Sequence, residues 1–482
     1  MSPSNTRGVM PSDPVAADLD AAFEPFASRM RAAGLPEVAV RVFRSQYARL
    51  RAGDEGAIPG TSALPVADLP AVADLEGHEA AGREALSRTV VLKLNGGLGT
   101  SMGLSGPKSL LPVRDGLSFL DIIARQVLHL RHETGARLPL VLMNSFATRE
   151  ESLALLATYP ELAADVPLDF LQHRVPKIDA ANLGPVEWPA DPAKSWCPPG
   201  HGDLYPALVS SGMLAELRAA GYRYAFVSNC DNLGAVVEPR ILGWMADEGL
   251  PFVMEVTRRT VADRKGGHLA RTPEGGLLLR ESAQCPPEET EDFQDIERYR
   301  YFNTNNLWLD LAALERALQE TDGVLPLPLI RNRKPVDPAA PSSPPVFQLE
   351  TAMGAAIGVF PGARAVEVDR RRFAPVKRTD DLLLVRSDVF GLDPAWRVVA
   401  EAEFAQEGRS LPEVTLDPRC YGLLDDFEAR FPAGAPSLRG CRSLRVTGDV
   451  RFGGGVVCLG DVELKSDGPT PRTIPDGARL EG

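Results

Sequence analysis

The 482-residue chain has only six cysteines, Cys197, Cys230, Cys285, Cys420, Cys441 and Cys458, and no two of them form a CxxC pair. Such scattered thiols exclude a zinc or disulfide framework and read as reduced. No segment stays apolar for the roughly twenty residues a membrane helix needs. The start, MSPSNTRGVMPSDP, lacks the apolar run of a signal peptide, so a cytoplasmic protein with no membrane partner is expected. Positive charge is also short: 52 Lys and Arg against 65 Asp and Glu leave a net charge of -13. That balance excludes non-specific nucleic-acid binding, which needs a surplus of cations facing phosphate. An anionic substrate fits only if cations are concentrated locally.

What the chain does have is length and alternation. Its size predicts two or three domains. Phe23, Phe26 and Met30 recur at helical spacing until Gly34-Leu35-Pro36 stops the run, and a second helical segment reaches about Arg51. Residues 54–68, rich in Gly, Pro and Ala, read as a connecting loop, so residues 1–85 form an N-terminal helical appendage. From Val90 short apolar strands alternate with helices: VVLKL, a helix around Phe119 to Leu130, LPLVLMN, a helix around Ser152 to Ala157, LDFLQ, a helix from Met213 to Ala220, YAFVSN, ILGWMADEG and PFVMEV. This alternation predicts an α/β unit over residues 86–400 with a mostly parallel sheet, whose ligands gather at the carboxyl ends of the strands. Lys334 to Phe347, KPVDPAAPSSPPVF, reads as an extended surface loop. Beyond about Ala400 the helical periodicity fades. Gly448-Asp449 and Gly460-Asp461, twelve residues apart between short alternating strands, suggest stacked coils of a small β-solenoid in residues 401–482.

The chemistry concentrates after VVLKL. NGGLGTSMG puts four glycines in eight positions at a strand end, and glycine allows positive φ and leaves backbone N–H groups open to a polyphosphate. The loop is neither a Walker A sequence nor GxGxxG. Lys108, in Gly106-Pro107-Lys108-Ser109, can serve as a point charge on phosphate oxygens. The YAFVSN strand ends at Asn229, Cys230 and Asp231, where a carboxylate can hold a hard cation or simply close an Asx turn.

LNGGLGTSMGLSGPKS resembles the signature of the eukaryotic-type UDP-glucose pyrophosphorylases, or UTP-glucose-1-phosphate uridylyltransferases. FLQHRVPKI, WCPPGHGDLYPAL, VSNCDNLGA, FNTNNLW, QLETAMGAAIG and PVKRTDDLL follow in the same order, from about residue 90 to 385, with a weaker echo in the C-terminal coils. The resemblance implies a Rossmann-like, GT-A-like nucleotidyltransferase sheet followed by a left-handed parallel β-helix. It implies that Leu94, Asn95, Gly96 and Gly97 contact nucleotide, and that Gln172 reads uracil, since an amide supplies both donor and acceptor. Gly200 and His201 then hold nucleotide and sugar phosphate, with His201 no general base, because a phosphate monoester is already anionic. Asn229 and Asp231 lie at the nucleotide, Asp231 taking Mg²⁺. Asn305, with Asn303 beside it, meets the sugar hydroxyls; Glu350 either orients that pocket or caps the following helix. Lys377 joins Lys108 at the reacting phosphates, while Arg370, Arg371 and Arg372 read on composition alone as a solvated basic run.

The activity so implied is UTP plus glucose 1-phosphate giving UDP-glucose and pyrophosphate. An N-acetylglucosamine 1-phosphate uridylyltransferase is the nearest alternative, but those relatives carry Arg where this chain has Ser101-Met102. A glycosyltransferase would lack a reason for the glycine loop with Lys108, and a non-catalytic regulator is expected to have lost Lys108, Asp231 or Lys377. The family's β-helix mediates oligomer contacts and extends past the equivalent of IPDGARLEG, so a monomer or small homo-oligomer is expected. Light scattering checks this, and a stable octamer would contradict it.

Overall fold

The computed structural model describes residues 14–401, 404, 409–468 and 470–482; the first thirteen residues of the MSPSNTRGVMPSDP start lie outside them. Helices α1 (Pro14–Ala32) and α2 (Glu37–Arg51) pack through Phe23, Phe26, Met30, Phe43 and Tyr47, the aromatic periodicity of the sequence. Their shared core also takes in Val175, Ile178, Cys197, Leu329 and Leu349 from the middle of the chain. Helix α3 (Glu79–Ala85) then leads to β1 (Thr89–Asn95).

The chain builds outward from β1. It crosses through α4 (Phe119–Thr134) to β2 (Leu140–Asn144), through α5 (Arg149–Leu156) to β3 (Asp169–Leu171), and through α6 (Leu204–Ser210) and α7 (Met213–Ala219) to β4 (Tyr224–Asn229). Helix α8 (Pro239–Glu248) precedes β5 (Phe252–Arg258), and the hairpin β6 (His268–Arg271) and β7 (Leu277–Arg280) precedes β8 (Tyr301–Asp310) and α9 (Leu311–Glu320). The hairpin β9 (Ile330–Pro335) and β10 (Pro345–Glu350) leads to β11 (Arg364–Glu367). The result is an α/β fold on a mixed nine-stranded sheet of order β7-β6-β8-β4-β1-β2-β3, with β5 pairing β8 and β11. It is parallel through β4, β1, β2 and β3, the half whose carboxyl ends form one edge.

Side-chain alternation explains why both faces are covered. In β1, Val91 joins one core with Leu140, Leu142 and Phe226, while Val90 and Leu92 join another with Val141, Met143 and Val227. Apolar residues at both parities leave no face for water, as a parallel sheet under helices requires.

Two expectations change. Lys334 to Phe347 is not one loop: β9 and β10 pair antiparallel with Pro335 opposite Pro345, and only residues 336–344 form the tip. The prolines sit at the strand ends, where a missing N–H costs no ladder bond. Beyond residue 400 two short helices, Pro418–Tyr421 and Leu424–Arg430, follow α10 (Thr379–Arg386) and β12 (Glu413–Leu416); four and seven residues are too few to carry a helical period. The C-terminal strands β13 (Cys441–Gly448), β14 (Val450–Phe452), β15 (Val457–Ser466), β16 (Arg472–Ile474) and β17 (Arg479–Glu481) make small parallel ladders. Leu444 pairs with Val462 and Val450 with Arg472, so the coil is longer than the twelve-residue Gly-Asp spacing, and the two Gly-Asp turns do not stack on each other. Among the described residues all six cysteines are free, and no helix is long and apolar enough to cross a membrane.

Helix α8, which links the β4 end to β5, lies so close to α3 that a Cβ on Gly243 would collide with His78 O. Gly243→Val is expected to lower the melting temperature by about 3–8 °C, the cost of overpacking a fixed backbone contact; scanning fluorimetry checks it.

Candidate functional site

Three backbone devices make the site. After β1 the glycine loop turns through Gly99 and Gly103, both in the left-handed region at φ 63° and 74°. The Lys108 N–H donates to Gly97 O at 3.1 Å, which folds the far end of the loop back onto its start. Gly96 lies so tightly against Gln172 that a Cβ there would collide with Oε1 of the Gln172 amide. At the end of β4 the Cys230 N–H donates to Leu94 O at 3.1 Å, bringing Asp231 beside the loop. Opposite, Gly200 has φ 81°, and a Cβ on it would be 2.5 Å from Thr351 O. Only glycine permits that turn against the 351 segment.

These devices enclose a cavity of about 320 Å³ at the carboxyl edge of the parallel half-sheet, as an open α/β sheet predicts. Ten of the residues singled out from sequence line it: Leu94, Asn95, Gly96, Gly97, Lys108, Gln172, Gly200, His201, Asn229 and Asp231. The Asn95 side chain turns away and donates to Asn144 Oδ1 and Ser152 Oγ at 2.7 and 2.8 Å. Its contribution to the cavity is therefore backbone.

Lys108 Nζ lies 2.7 Å from Asp231 Oδ2 in a largely buried ion pair. The other oxygen, Asp231 Oδ1, is buried without a hydrogen-bond partner. A carboxylate with an unused oxygen at the wall of such a cavity suits a hard dication that takes its remaining ligands from water and other oxygen donors. Among the described residues no cluster of three or more His, Cys, Asp or Glu is placed to hold a metal by itself. His201 accepts the Met353 N–H on Nδ1 at 2.9 Å, which puts the proton of the neutral ring on Nε2. Burial pulls its pKa down to about 4, so the ring is neutral near neutral pH, and with Nδ1 occupied by the Met353 N–H and the proton on Nε2 neither nitrogen offers a free lone pair to a substrate proton. Cys230 is a buried thiol pushed up to about 12 by desolvation.

The remaining candidates do not line that cavity. Asn303 and Asn305 sit at an irregularity of β8, where pairing with β5 jumps between Glu255 and Val256. Asn305 adopts φ 59°, and the two side chains bond each other's segment: Asn303 Nδ2 donates to Asn305 Oδ1 at 2.9 Å and Asn305 N to Asn303 Oδ1 at 3.0 Å. Asparagine tolerates that backbone better than most residues. Glu350 ends β10, packs on Gly200 and accepts from Asn332 Nδ2 at 3.0 Å; the following turn is capped by Ala352 without a side-chain bond, so Glu350 is not a helix cap. Lys377 is exposed, its ammonium 6.0 Å from the Phe373 ring, in an adjoining cleft of about 880 Å³ with Lys265, Arg371 and Phe302. Ser101 is exposed and Met102 is core, and neither lines that cavity.

The basic run is corrected. Arg370 pairs with Asp263 and Arg371 with Asp369, but Arg372 is mostly buried and forks onto Glu255, whose side chain has no exposed surface, with contacts of 2.6 and 2.8 Å. Asn306 and Trp308 donate to the same carboxylate at 3.0 and 2.9 Å. A second feature that sequence reasoning missed is His173, whose N–H and Nδ1 meet Asp203 at 2.6 and 2.8 Å under the Gly200–His201 turn. No spacing signals either network, because the partners come from distant segments. Lys93 does leave a trace: a lysine inside VVLKL.

The His201 geometry carries a pH consequence. A folded pKa below the ordinary histidine value of about 6.5 keeps the ring neutral at and above neutrality, and the stability from its burial falls away only as pH drops from about 6.5 toward 4. Long-range ¹H–¹⁵N spectra are expected to show His201 as the Nε2–H tautomer from pH 5.5 to 8. A titration midpoint near 6.5 would contradict this.

The profile of the UTP-glucose-1-phosphate uridylyltransferase family matches residues 43–459. The enzyme of that name from Solanum tuberosum is 41% identical over 426 residues, 88% of this chain and 85% of its own. A probable one from Schizosaccharomyces pombe is 42% identical over 400 residues, 83% of this chain and 77% of its own. A mutant UDP-glucose pyrophosphorylase from Leishmania major, solved in complex with UDP-glucose, superposes with a TM-score of 0.89 at 45% identity, covering 96% of this chain and 98% of that one. Profile, sequence and fold agree along most of the length, and the chain belongs to the UTP-glucose-1-phosphate uridylyltransferase family.

Proposed function

We propose that this chain is a nucleotidyltransferase that makes UDP-glucose and pyrophosphate from UTP and glucose 1-phosphate. The observation that carries the reading is the Lys108–Asp231 pair at 2.7 Å, held against Gly96, Gly97 and Gln172 in one cavity at the sheet edge. Family membership supplies the substrates; the geometry supplies a place for a triphosphate beside a base-reading amide.

In this reading an oxygen of glucose 1-phosphate attacks the α-phosphorus of UTP in line with departing pyrophosphate, with no covalent intermediate. The P–O bond to the new sugar phosphate forms as the bond to pyrophosphate breaks. Gln172 holds uracil, and the Leu94–Gly97 backbone, Asn229 and Gly200 hold the nucleotide. Lys108 neutralises phosphate oxygens, and His201, with its proton on Nε2, donates to a phosphate rather than taking a proton. Asp231 would hold Mg²⁺, which when bound neutralises charge on the triphosphate. Asn303, Asn305 and Glu350 serve the sugar side. Lys377 works from the neighbouring cleft, where its charge also reaches the half-buried Glu281. Residues 86–400 form the catalytic unit, residues 1–85 an appended helical region and residues 401–482 a β-helix of left-handed sense.

Pyrophosphate release with UTP, GTP and dTTP against several sugar 1-phosphates, N-acetylglucosamine 1-phosphate included, tests the assignment. UTP with glucose 1-phosphate is expected to be the preferred pair, and no activity with it would overturn the proposal. Lys377→Ala is expected to lower turnover by about a hundredfold or more with an unchanged circular dichroism spectrum, as for losing one preorganised charge. Near-normal turnover would remove Lys377 from the mechanism.

A further inference from the structure

A lysine in the middle of an apolar strand is costly. Lys93 is 2% exposed and points to the same face of β1 as Val91, its ammonium 5.7 Å from the ring of Phe226. An ammonium taken out of water without a counter-charge destabilises the fold, so such a group persists where its hydrogen bonds are needed. Burial pulls its pKa down to about 8, with Cys230, Glu255 and Asp231 acting against that fall and Arg372 adding to it. It does not line the nucleotide cavity and is unused in the mechanism above.

Its two hydrogen bonds show what it does. Nζ donates to Ser228 Oγ at 2.7 Å and to Ala235 O at 2.9 Å. Ser228 stands in β4 just before the strand ends, and Ala235 closes the loop that follows. Between these two anchors lie Asn229, Cys230 and Asp231. The loop's other ties come from elsewhere in the chain: Cys230 N–H to Leu94 O, Lys108 Nζ to Asp231 Oδ2, Val376 N–H to Asp231 O, Ala374 N–H to Asn232 Oδ1, Gln126 Nε2 to Leu233 O, and the Asn232 amide to Asn306 Oδ1 and Arg372 O at 3.3 and 3.0 Å. No other side chain of β1 joins both ends of it.

We propose that Lys93 is a positioning residue of the site, whose ammonium ties both ends of the 229–235 loop to the central strand and so fixes where the Asp231 carboxylate stands. The inference rests on the reading of Asp231 as the metal carboxylate. It acts through Asp231 and not on substrate: loss of Lys93 loosens the carboxylate while leaving Gln172, the glycine loop and the His201 turn in place. Outer groups that orient a metal ligand are worth about 10–100-fold in metal affinity or activity.

The test is Lys93→Met, which fills the same volume with an apolar chain. The protein is titrated with Mn²⁺ in the presence of UTP, free Mn²⁺ being followed by electron paramagnetic resonance, and UTP binding without metal is measured by calorimetry. The half-saturating Mn²⁺ concentration is expected to rise about tenfold and kcat to fall about tenfold. KM for glucose 1-phosphate and metal-free UTP affinity are expected to stay within about twofold, a split that general loosening would not give. Lys93→Arg, which keeps a donor cation, is expected to recover part of the loss. A folded Lys93→Met protein with Mn²⁺ affinity and kcat within about twofold of the parent overturns the proposal. If that variant does not fold, Ser228→Ala decides: a rise of about threefold or more in half-saturating Mn²⁺ supports it, and no change overturns it. Asp231→Asn is run beside them. If Asp231→Asn also leaves Mn²⁺ binding unchanged, the metal reading of the site fails, and the Lys93 inference with it; if only Lys93→Met is silent, the Lys93 inference alone fails.

Discussion

The buried carboxylate of Glu255 is the constraint on which the reaction side of the molecule depends. It lies on β5 with no exposed surface, where Arg372 forks onto it and Asn306 and Trp308 complete its bonds. Removing one partner from such a pair leaves a charge stranded in the core, at a cost of about 3–5 kcal/mol. The pair therefore dictates the path of the chain. Arg372 also donates to Val236 O, and its own carbonyl accepts from Asn232 and Asn306. One ion pair thus knots together β5, β8, the loop after β4 and the segment that runs on to Lys377.

That knot explains why the site has two halves of different construction. The cavity at the sheet edge is made by backbone at strand ends: Gly97 O, Leu94 O and Thr351 O each take a bond that seats a lining residue or its turn. The other half is made by side chains on irregular backbone, with Asn303 and Asn305 at a break in the β5–β8 pairing. The break falls next to Glu255, whose demand for the Asn306 amide sets the register on one side of it. Val376 N–H, donating to Asp231 O at 3.2 Å, joins the halves directly.

The parts legible in the sequence are those whose chemistry is local. A strand followed by closely spaced glycines and a lysine states its own purpose, because positive φ and open N–H groups are properties of the residues themselves. The carboxyl-edge location of Asn229 and Asp231 follows from strand-helix alternation alone. Arg372 was illegible for the opposite reason: three consecutive arginines look solvated until Glu255, more than a hundred positions away, is seen to bury one of them. A separation of 30 positions is enough to hide His173 and Asp203 as well. Residues 334–347 misread because proline marks strand ends as readily as loops, and the C-terminal turns misread because Gly-Asp recurs at a spacing shorter than the coil.

The contact between Gly96 and Gln172 has a consequence for how such a protein can change. The amide fills the space that any side chain at position 96 would need, so the two positions are packed as one part. With Gln172 as the proposed reader of the base, a side chain added at position 96 would first displace that amide, so a substitution in the glycine loop would be felt at the base as well as at the phosphates.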